Sequence, residues 1–562
     1  MPALVLGPMA RWAGTDEATV WVETDAKCEV EVRPERGEPA RAPTFEVEGH
    51  HYAIVRVSGL PEDAATPYAV TLDGEPVWPE PDSPFPPSTL RTHSRSGMAR
   101  IVFGSCRVAY PHEPPWSLRP DESDSGRELD ALRAIALRMA QADPDTWPHT
   151  VLMLGDQVYA DEVSPDTLDF IRSRRDTSRP PGETIADFEE YTRLYLEAWS
   201  DPPIRWLLST VPSAMIFDDH DVIDDWNTSI AWVKEMRETD WWDRRVVGAF
   251  MTYVLYQHWG NLAPDALEDD PVYQRVLAAG DGGDILRECA YTWDREVEGV
   301  RWSYCRDIAN SRIVMIDSRA GRVLTPGRRS MIDPDEFAWI TEHATGGFDH
   351  LLIGTSLPLF LAPALHYLEA WNEAVCDGAW GRPAAWLGEK LRQGADLEHW
   401  AAFRDSFNAM CGLLREVAAG RRGPAPRTIT VLSGDVHHAY LAEIGFPKGS
   451  GVTSHVWQAT CSPFRNPLSS KERRSVDFAF SRAGTEIGRA LARSAGVPPP
   501  PVRWRFTDGD PRFDNQVGTL ELDGEHALAR LERAVPSGRG HAHPALEKAD
   551  EKPLTPGERR NA

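Results

Sequence analysis

At 562 residues the chain is long enough for more than one domain, and 41% hydrophobic with 26% charged residues fits a globular protein rather than a disordered or fibrous one. A formal charge of -26 and a pI near 5.1 work against nucleic acid or an anionic membrane as partner, so an anionic small-molecule substrate requires a locally positive site such as metal ions. The opening residues lack a basic leader with an apolar core, and no apolar run reaches the ~18 residues that cross a bilayer. The seven cysteines are scattered, odd in number and without CxxC spacing, so the expectation is a reduced, cytoplasmic protein.

In chain order, residues 1–94 hold short alternating segments (Ala18–Thr24, Cys28–Val32, His51–Val57, Tyr68–Leu72) between Gly, Pro, Asp and Glu. This predicts a small antiparallel β-sandwich of immunoglobulin or fibronectin type. The stiff proline-rich stretch from Pro76 to Ser88 marks its boundary. From Arg100 onward strand-like runs alternate with helical patterns, which predicts an α+β, multi-layer domain over 95–535. One helix is expected over Ser125–Gln141, capped by Asp124 or Ser125, and another over Asp333–Glu342, with Pro334 at its first position and Glu336 as capping partner. Two tryptophan-rich stretches, 228–300 and 359–420, read as helical insertions able to wall a site. The Gly-, Pro-, Lys- and Glu-rich end, 536–562, reads as a disordered tail.

The strand-like runs share one feature, a polar loop at the carboxyl end. IVF runs into GSCR, VLML into GDQVYADE, MIF into DDHD, IVMI into DSR, LLI into GTS, and ITVL into SGDVHH. In layered folds such ends gather along one edge, where ligands bind. The densest lies between Ala214 and Asn227, where Asp218, Asp219, His220, Asp221, Asp224 and Asp225 crowd together; their repulsion calls for a cation or substrate among them. Asp156, Asp219, Asp435 and His437 supply the hard oxygen and imidazole donors of a hydrolytic metal pair. Asp435 and His437, two residues apart, point the same way from an extended segment.

FGSC, GDQVYAD, FDDHDVIDDWN, DSR and SGDVHH, in this order, resemble the alkaline phosphatase D (PhoD-like) branch of the calcineurin-like metallophosphoesterases, and the β-rich start and final strands extend the likeness to most of the chain. The resemblance implies a β-sandwich flanked by helices rather than a doubly wound sheet. It implies a binuclear or larger centre, with Cys106, Asp156, Tyr159 and His437 on an Fe(III). Asp156 would bridge to Ca(II) held also by Asp219 and Asp435, with zinc or manganese as alternative metals. His220 would contact the phosphoryl group, Asp221 would orient it, and a metal-activated hydroxide would attack phosphorus in line. The substrate implied is a small phosphomonoester or phosphodiester.

Each residue also has a plainer reading. Cys106 alone would be a small buried hydrophobe, Tyr159 a half-buried aromatic, and the acids helix caps. Arg319 would either clamp a phosphate oxygen or pair with one of the acids, and the same holds for Arg107. Asp224, Asp225 and Asn227 would either back the ligands or cap the next helix, and His438 faces away in a structural role. The twin-arginine leader of secreted family members is not found here. Two other functions compete: a binding or scaffold protein with a relict hydrolase domain, and hydrolysis of a non-phosphate ester at a similar metal pair.

Overall fold

The computed structural model describes residues 1–296, 300–325 and 327–556. Its first ninety residues fold into β1 (Leu4–Ala13), β2 (Glu17–Thr24), β3 (Glu29–Pro34), β4 (Ala40–Pro43), β5 (Phe45–Val47), β6 (His50–Ser58), β7 (Ala65–Leu72), β8 (Glu75–Trp78) and β9 (Thr89–Arg91). One sheet runs β1-β2-β6-β5 and the other β4-β3-β7-β8, with β9 on β7. Val20, Val22, Val30, Val32, Val55, Val70 and Leu72 alternate inward from both sheets into a shared core, the outcome expected of a period-two pattern with one face buried.

The remainder builds two larger sheets from β10 (Ala99–Gly104), β11 (Thr150–Leu154), β12 (Ser213–Ile216), β13 (Tyr304–Ile308), β14 (Ser311–Ile316), β15 (His350–Thr355), β16 (Thr428–Ser433), β17 (Tyr440–Gly445), β18 (His455–Thr460), β19 (Arg503–Phe506), β20 (Gln516–Asp523), β21 (His526–Ser537) and β22 (Gly540–Pro553). Their orders are β12-β11-β10-β20-β21-β22 and β13-β14-β15-β16-β18-β17-β19. The two sheets face each other. Ile101, Phe103, Leu152, Leu154, Ala214 and Ile216 of one share a core with Ile313, Met315, Leu352, Leu432 and Trp457 of the other. Alternate residues (Val102, Val151, Met153, Met215, Val314, Ile353, Val431) point outward into a second core formed with the helices. The result is a mixed α/β fold in layers. Because β10, β11 and β12 run parallel, as do β14, β15, β16 and β18, their carboxyl ends lie together at one rim. Among the described residues no helix is long and apolar enough to cross a membrane.

Three local expectations are corrected. The helix expected from Ser125 starts at Ala131, because Asp130 accepts from the Arg133 backbone N–H as N-cap, while Arg127 and Glu128 give their N–H groups to Trp116 and Leu118. The stretch read as a disordered tail is instead the β21–β22 hairpin up to Pro553, and residues 557–562 lie outside the described residues. Its charges occupy the solvent side of an edge hairpin, while Leu531 and Leu554 are buried and Arg138 pairs with Glu532. The helix Pro334–His343 has Asp333 as its N-cap, but the Glu336 side chain turns instead to the Ser303 hydroxyl.

The N-terminal sandwich is bound to the two larger sheets and their helices by buried polar contacts. Arg11, fully buried, donates to Gln257 O (2.7 Å) and Asn261 Oδ1 (3.2 Å). Asn261 in turn pairs with both backbone groups of Met215, donating to its carbonyl (2.7 Å) and accepting from its N–H (2.9 Å), so a side chain completes the open edge of β12. The Trp21 indole donates to Leu255 O (2.9 Å), and Tyr68 to Ser209 O (2.7 Å).

At the same interface His50 lies 2.8 Å from Glu23 and 3.0 Å from Glu189 on the helix Phe188–Ser200. Burial opposes a charged imidazole, yet the two carboxylates outweigh it and raise the His50 pKa to about 9 from 6.5. The protonated form is therefore favoured by folding, so this contribution is complete below pH 6.5 and fades as pH rises through 9. Thermal melts across that window should show wild-type Tm falling relative to His50→Gln; parallel pH profiles would rule the contribution out.

Candidate metal centre

Seven strand ends meet at the rim, and backbone hydrogen bonds lace them together: Cys106 N–H to Gly155 O, Phe464 N–H to Ser105 O, Gly434 N–H to Ser356 O, and Cys461 N–H to Ser433 O. Two glycines permit the approach. A Cβ on Gly434 would stand 2.2 Å from Ser105 Oγ, and one on Gly155, whose φ is +108°, would stand 2.6 Å from Asp218 Oδ2. Cys106, Asp156, Asp435 and His437 all adopt left-handed backbone (φ 56°, 52°, 65° and 51°). Strain at four chemically reactive positions persists only where the surrounding loops hold it.

The four residues that the resemblance gathers on one ion do converge. Cys106 Sγ lies 3.2 Å from Asp156 Oδ2, the Tyr159 hydroxyl 3.3 Å from the same oxygen and 3.5 Å from His437 Nε2. All but His437 are almost completely buried. Without a cation their chemistry conflicts. Burial, then the Asp435 charge, raises the Cys106 thiol to about 12; burial and Cys106 push Asp156 well above the carboxylate range; burial and Asp156 do the same to the Tyr159 phenol. Burial lowers His437 to about 4, leaving a neutral imidazole ready to ligate.

A second cluster adjoins the first. Donor oxygens of Asp156, Asp218, Asp219 and Asp435 lie within 4.8 Å of one another. Asp156 Oδ1 and Asp218 Oδ2 are buried without a hydrogen-bond partner, an arrangement that costs stability unless a cation occupies the space. Asp156 thus offers Oδ2 to the first group and Oδ1 to the second. A mixed thiolate, phenolate, carboxylate and imidazole set suits a transition metal, and the donors present fit a metal centre. Asp218, one of the crowded acids but given no ligand role by the resemblance, belongs to this second cluster.

The residues around these candidate ligands have partners other than those the resemblance implied. His220 Nδ1 bonds Asp161 (2.9 Å), not Asp221. Asp221 faces inward, accepting from the Asp218 backbone N–H (3.0 Å), and burial raises its pKa to about 8. Burial opposes charge on His220, but Asp161 raises its pKa well above the usual value. Arg319 is fully buried and points into the acids: it binds Asp218, Glu398, Asp219 (2.9 Å) and Asp435 (3.2 Å), so it pairs with carboxylates and offers no fork to a phosphate. Arg107 likewise pairs with Asp130 (2.8 Å). The helix Ile230–Arg237 is capped by Ser229, so the acids before it are not caps. Asp224 N–H instead bonds Asp161 (2.7 Å), Asp225 N–H bonds Asp219 Oδ2 (3.1 Å), and Asn227 donates to Arg319 O (3.0 Å). His438 is buried against Tyr440 and Phe480, away from the centre. Two residues no motif announced, Glu398 and His399, enter from the second helical insertion.

Comparison with known proteins bears on part of this chain. Residues 131–282 match the family model described as PhoD-like phosphatase, a span that includes Asp156, Tyr159 and the Asp218–Asp221 turn. The chain carries a PhoD-like phosphatase domain. The resemblance read from the sequence is thereby borne out, and the domain is that of a phosphoric ester hydrolase. Residues 1–90 match a domain of unknown function, DUF7800. The solved structure of PhoD aligns over 99% of this chain and 93% of its own at 11% identity and a TM-score of 0.58, a likeness of fold. A purple acid phosphatase, PPD1 from yellow lupin (Lupinus luteus) seeds, aligns over 97% of this chain and 73% of its own at 10% identity and a TM-score of 0.49. No curated protein matches significantly.

If Asp161 sets the orientation and charge of His220, Asp161→Asn should lower kcat by about 10²- to 10⁴-fold, with unchanged metal content and Tm, whereas Asp221→Asn should lower Tm instead. Equal kcat losses in the two variants would refute this division.

Proposed function

We propose that the protein is a metal-dependent phosphoesterase hydrolysing small phosphomonoesters, phosphodiesters or both. The observation that carries this reading is the meeting of Cys106, Asp156, Tyr159 and His437 beside the unpartnered oxygens of Asp156 and Asp218. Metal ions held there would supply Lewis-acid activation of water and neutralise phosphoryl oxygens. That charge is needed, because an acidic protein otherwise repels a phosphoester. With Nδ1 committed to Asp161, His220 keeps Nε2 to hold a proton toward a phosphoryl oxygen or the leaving group. Tyr159 packs at a tilt of 30° against the His220 ring, centroids 4.4 Å apart, and so limits its rotation. Arg319 holds the carboxylates of Asp218, Asp219, Asp435 and Glu398 in position. Iron at the thiolate position suits the anionic donors there. The strand orders β1-β2-β6-β5 and β4-β3-β7-β8 support an immunoglobulin or fibronectin type for the first domain.

Metal-loaded enzyme is expected to hydrolyse p-nitrophenyl phosphate, its bis ester or both; turnover of neither would sink the proposal. Asp156→Ala should lose metal and activity together. His220→Ala should retain metal while kcat drops by about 10²- to 10⁴-fold, and equal metal loss in both variants would contradict the role given to His220.

A further inference from the structure

We propose that the helices Arg382–Gly394, Ser470–Phe480 and Arg482–Ser494 form a docking surface for a phospholipid membrane that carries anionic headgroups. The proposal stands independently of the phosphoesterase reading. Trp380, Trp386, Leu387, Leu391, Phe478 and Ile487 are six of the ten large apolar side chains exposed among the described residues, and all six lie on these helices or at the turn leading into the first. The first and third helices turn small residues inward instead. An added Cβ on Gly388 would stand 3.1 Å from Cys376 Sγ, and one on Gly488 2.9 Å from Ala364 O, so both helices pack closely on the helix Pro363–Cys376. The Trp380 indole donates to Ser494 O (3.2 Å), joining the two flanks. The apolar residues that face outward are left in water, with Trp386 63%, Leu387 61%, Phe478 52% and Ile487 54% exposed. A single exposed apolar side chain needs no explanation, but a concentration of them marks a contact surface.

Charge identifies the partner. Residues 380–394 and 470–494 hold nine Lys or Arg against four Asp or Glu, a net +5 within a chain of net -26. Arg382, Lys390, Lys471, Arg474, Arg482 and Arg493 are exposed, and none has a carboxylate partner among the described residues. At helical spacing Trp386, Leu387, Lys390 and Leu391 fall on one face of the first helix. Apolar side chains interleaved with unpaired cations suit a membrane interface, where Trp and Leu enter the acyl boundary while Lys and Arg meet lipid phosphates. Nucleic acid would leave the Leu and Ile side chains unused. The charge of the whole chain opposes an anionic surface, but screening over about 8 Å at physiological ionic strength leaves the face in contact to decide. This surface adjoins the rim. Gln393 donates to Ser229 Oγ (3.4 Å), just beyond the acid-rich turn, and Phe480 packs on the ring of His438, next to His437, with centroids 5.6 Å apart. Docking would therefore hold the candidate centre close to the lipid surface.

The full chain should be sedimented with large vesicles of phosphatidylcholine containing a minority of phosphatidylglycerol. Wild type is expected to pellet with them at physiological ionic strength, and less as salt rises. A variant carrying Trp386→Glu and Leu387→Glu, and another carrying Lys390→Glu and Arg474→Glu, should each bind about tenfold more weakly or worse, with circular dichroism and Tm as in wild type. Wild type left in the supernatant, or both variants binding as wild type does, would overturn the proposal. Equal pelleting by vesicles of phosphatidylcholine alone would overturn it too. So would a concentration-dependent dimer in sedimentation velocity that the Trp386→Glu, Leu387→Glu variant abolishes, since the face would then belong to a second copy of the chain. If that variant fails to fold, the charge-reversed one decides, and unchanged vesicle affinity in it rules the docking out.

Discussion

The Arg319 guanidinium is the one charge that lets the rim exist. Four carboxylates from three separate segments close on it, and all but the partly buried Asp435 are nearly or wholly buried. Removing one partner of a buried ion pair costs about 3–5 kcal/mol because the survivor is left uncompensated; here a single deletion would orphan several charges at once. The positive charge also divides the acids. Asp435 and Glu398 stay below their ordinary pKa, whereas burial lifts Asp156 and Asp219 well above it, Asp219 despite its contact with Arg319. An internal cation thus organises the carboxylate bank but does not saturate it, and the unsatisfied remainder is the affinity available to metal.

The sandwich explains how so many polar groups can be gathered. Parallel strands bring their carboxyl ends to one rim, and each strand is buried on both faces, so only the loops are free to carry ligands. Left-handed turns at Cys106, Asp156, Asp435 and His437 swing those side chains inward. The outer helices then exclude water, which strengthens every interaction within.

Much of this was legible in the sequence. The apolar runs from Ile101, Val151, Ala214, Ile313, Leu351 and Ile429 are strands because buried parallel strands read as continuous hydrophobic stretches, and each ended where its polar motif began. What was not legible depended on distances across loops. Nothing in the sequence distinguishes Asp161 from Asp221 as the partner of His220, since the nearer residue in sequence is turned away by a backbone hydrogen bond. His399 and Glu398 lie in an insertion without a motif, and their neighbours announce only a helix. The final hairpin was misread for a related reason: alternating charge on a solvated edge strand has the composition of a disordered segment, and only its pairing with β21 reveals the difference.

The contact of Arg11 with Asn261 reaches beyond its own domain. Asn261 serves as a substitute strand along β12, and β12 leads directly into the Asp218–Asp221 turn. Arg11, on the first strand of the first domain, holds that substitute in place. Without the amino-terminal sandwich, Asn261 would lose the Arg11 contact that steadies it against β12, so the order of the sheet edge beside the centre depends on a residue from the far end of the chain.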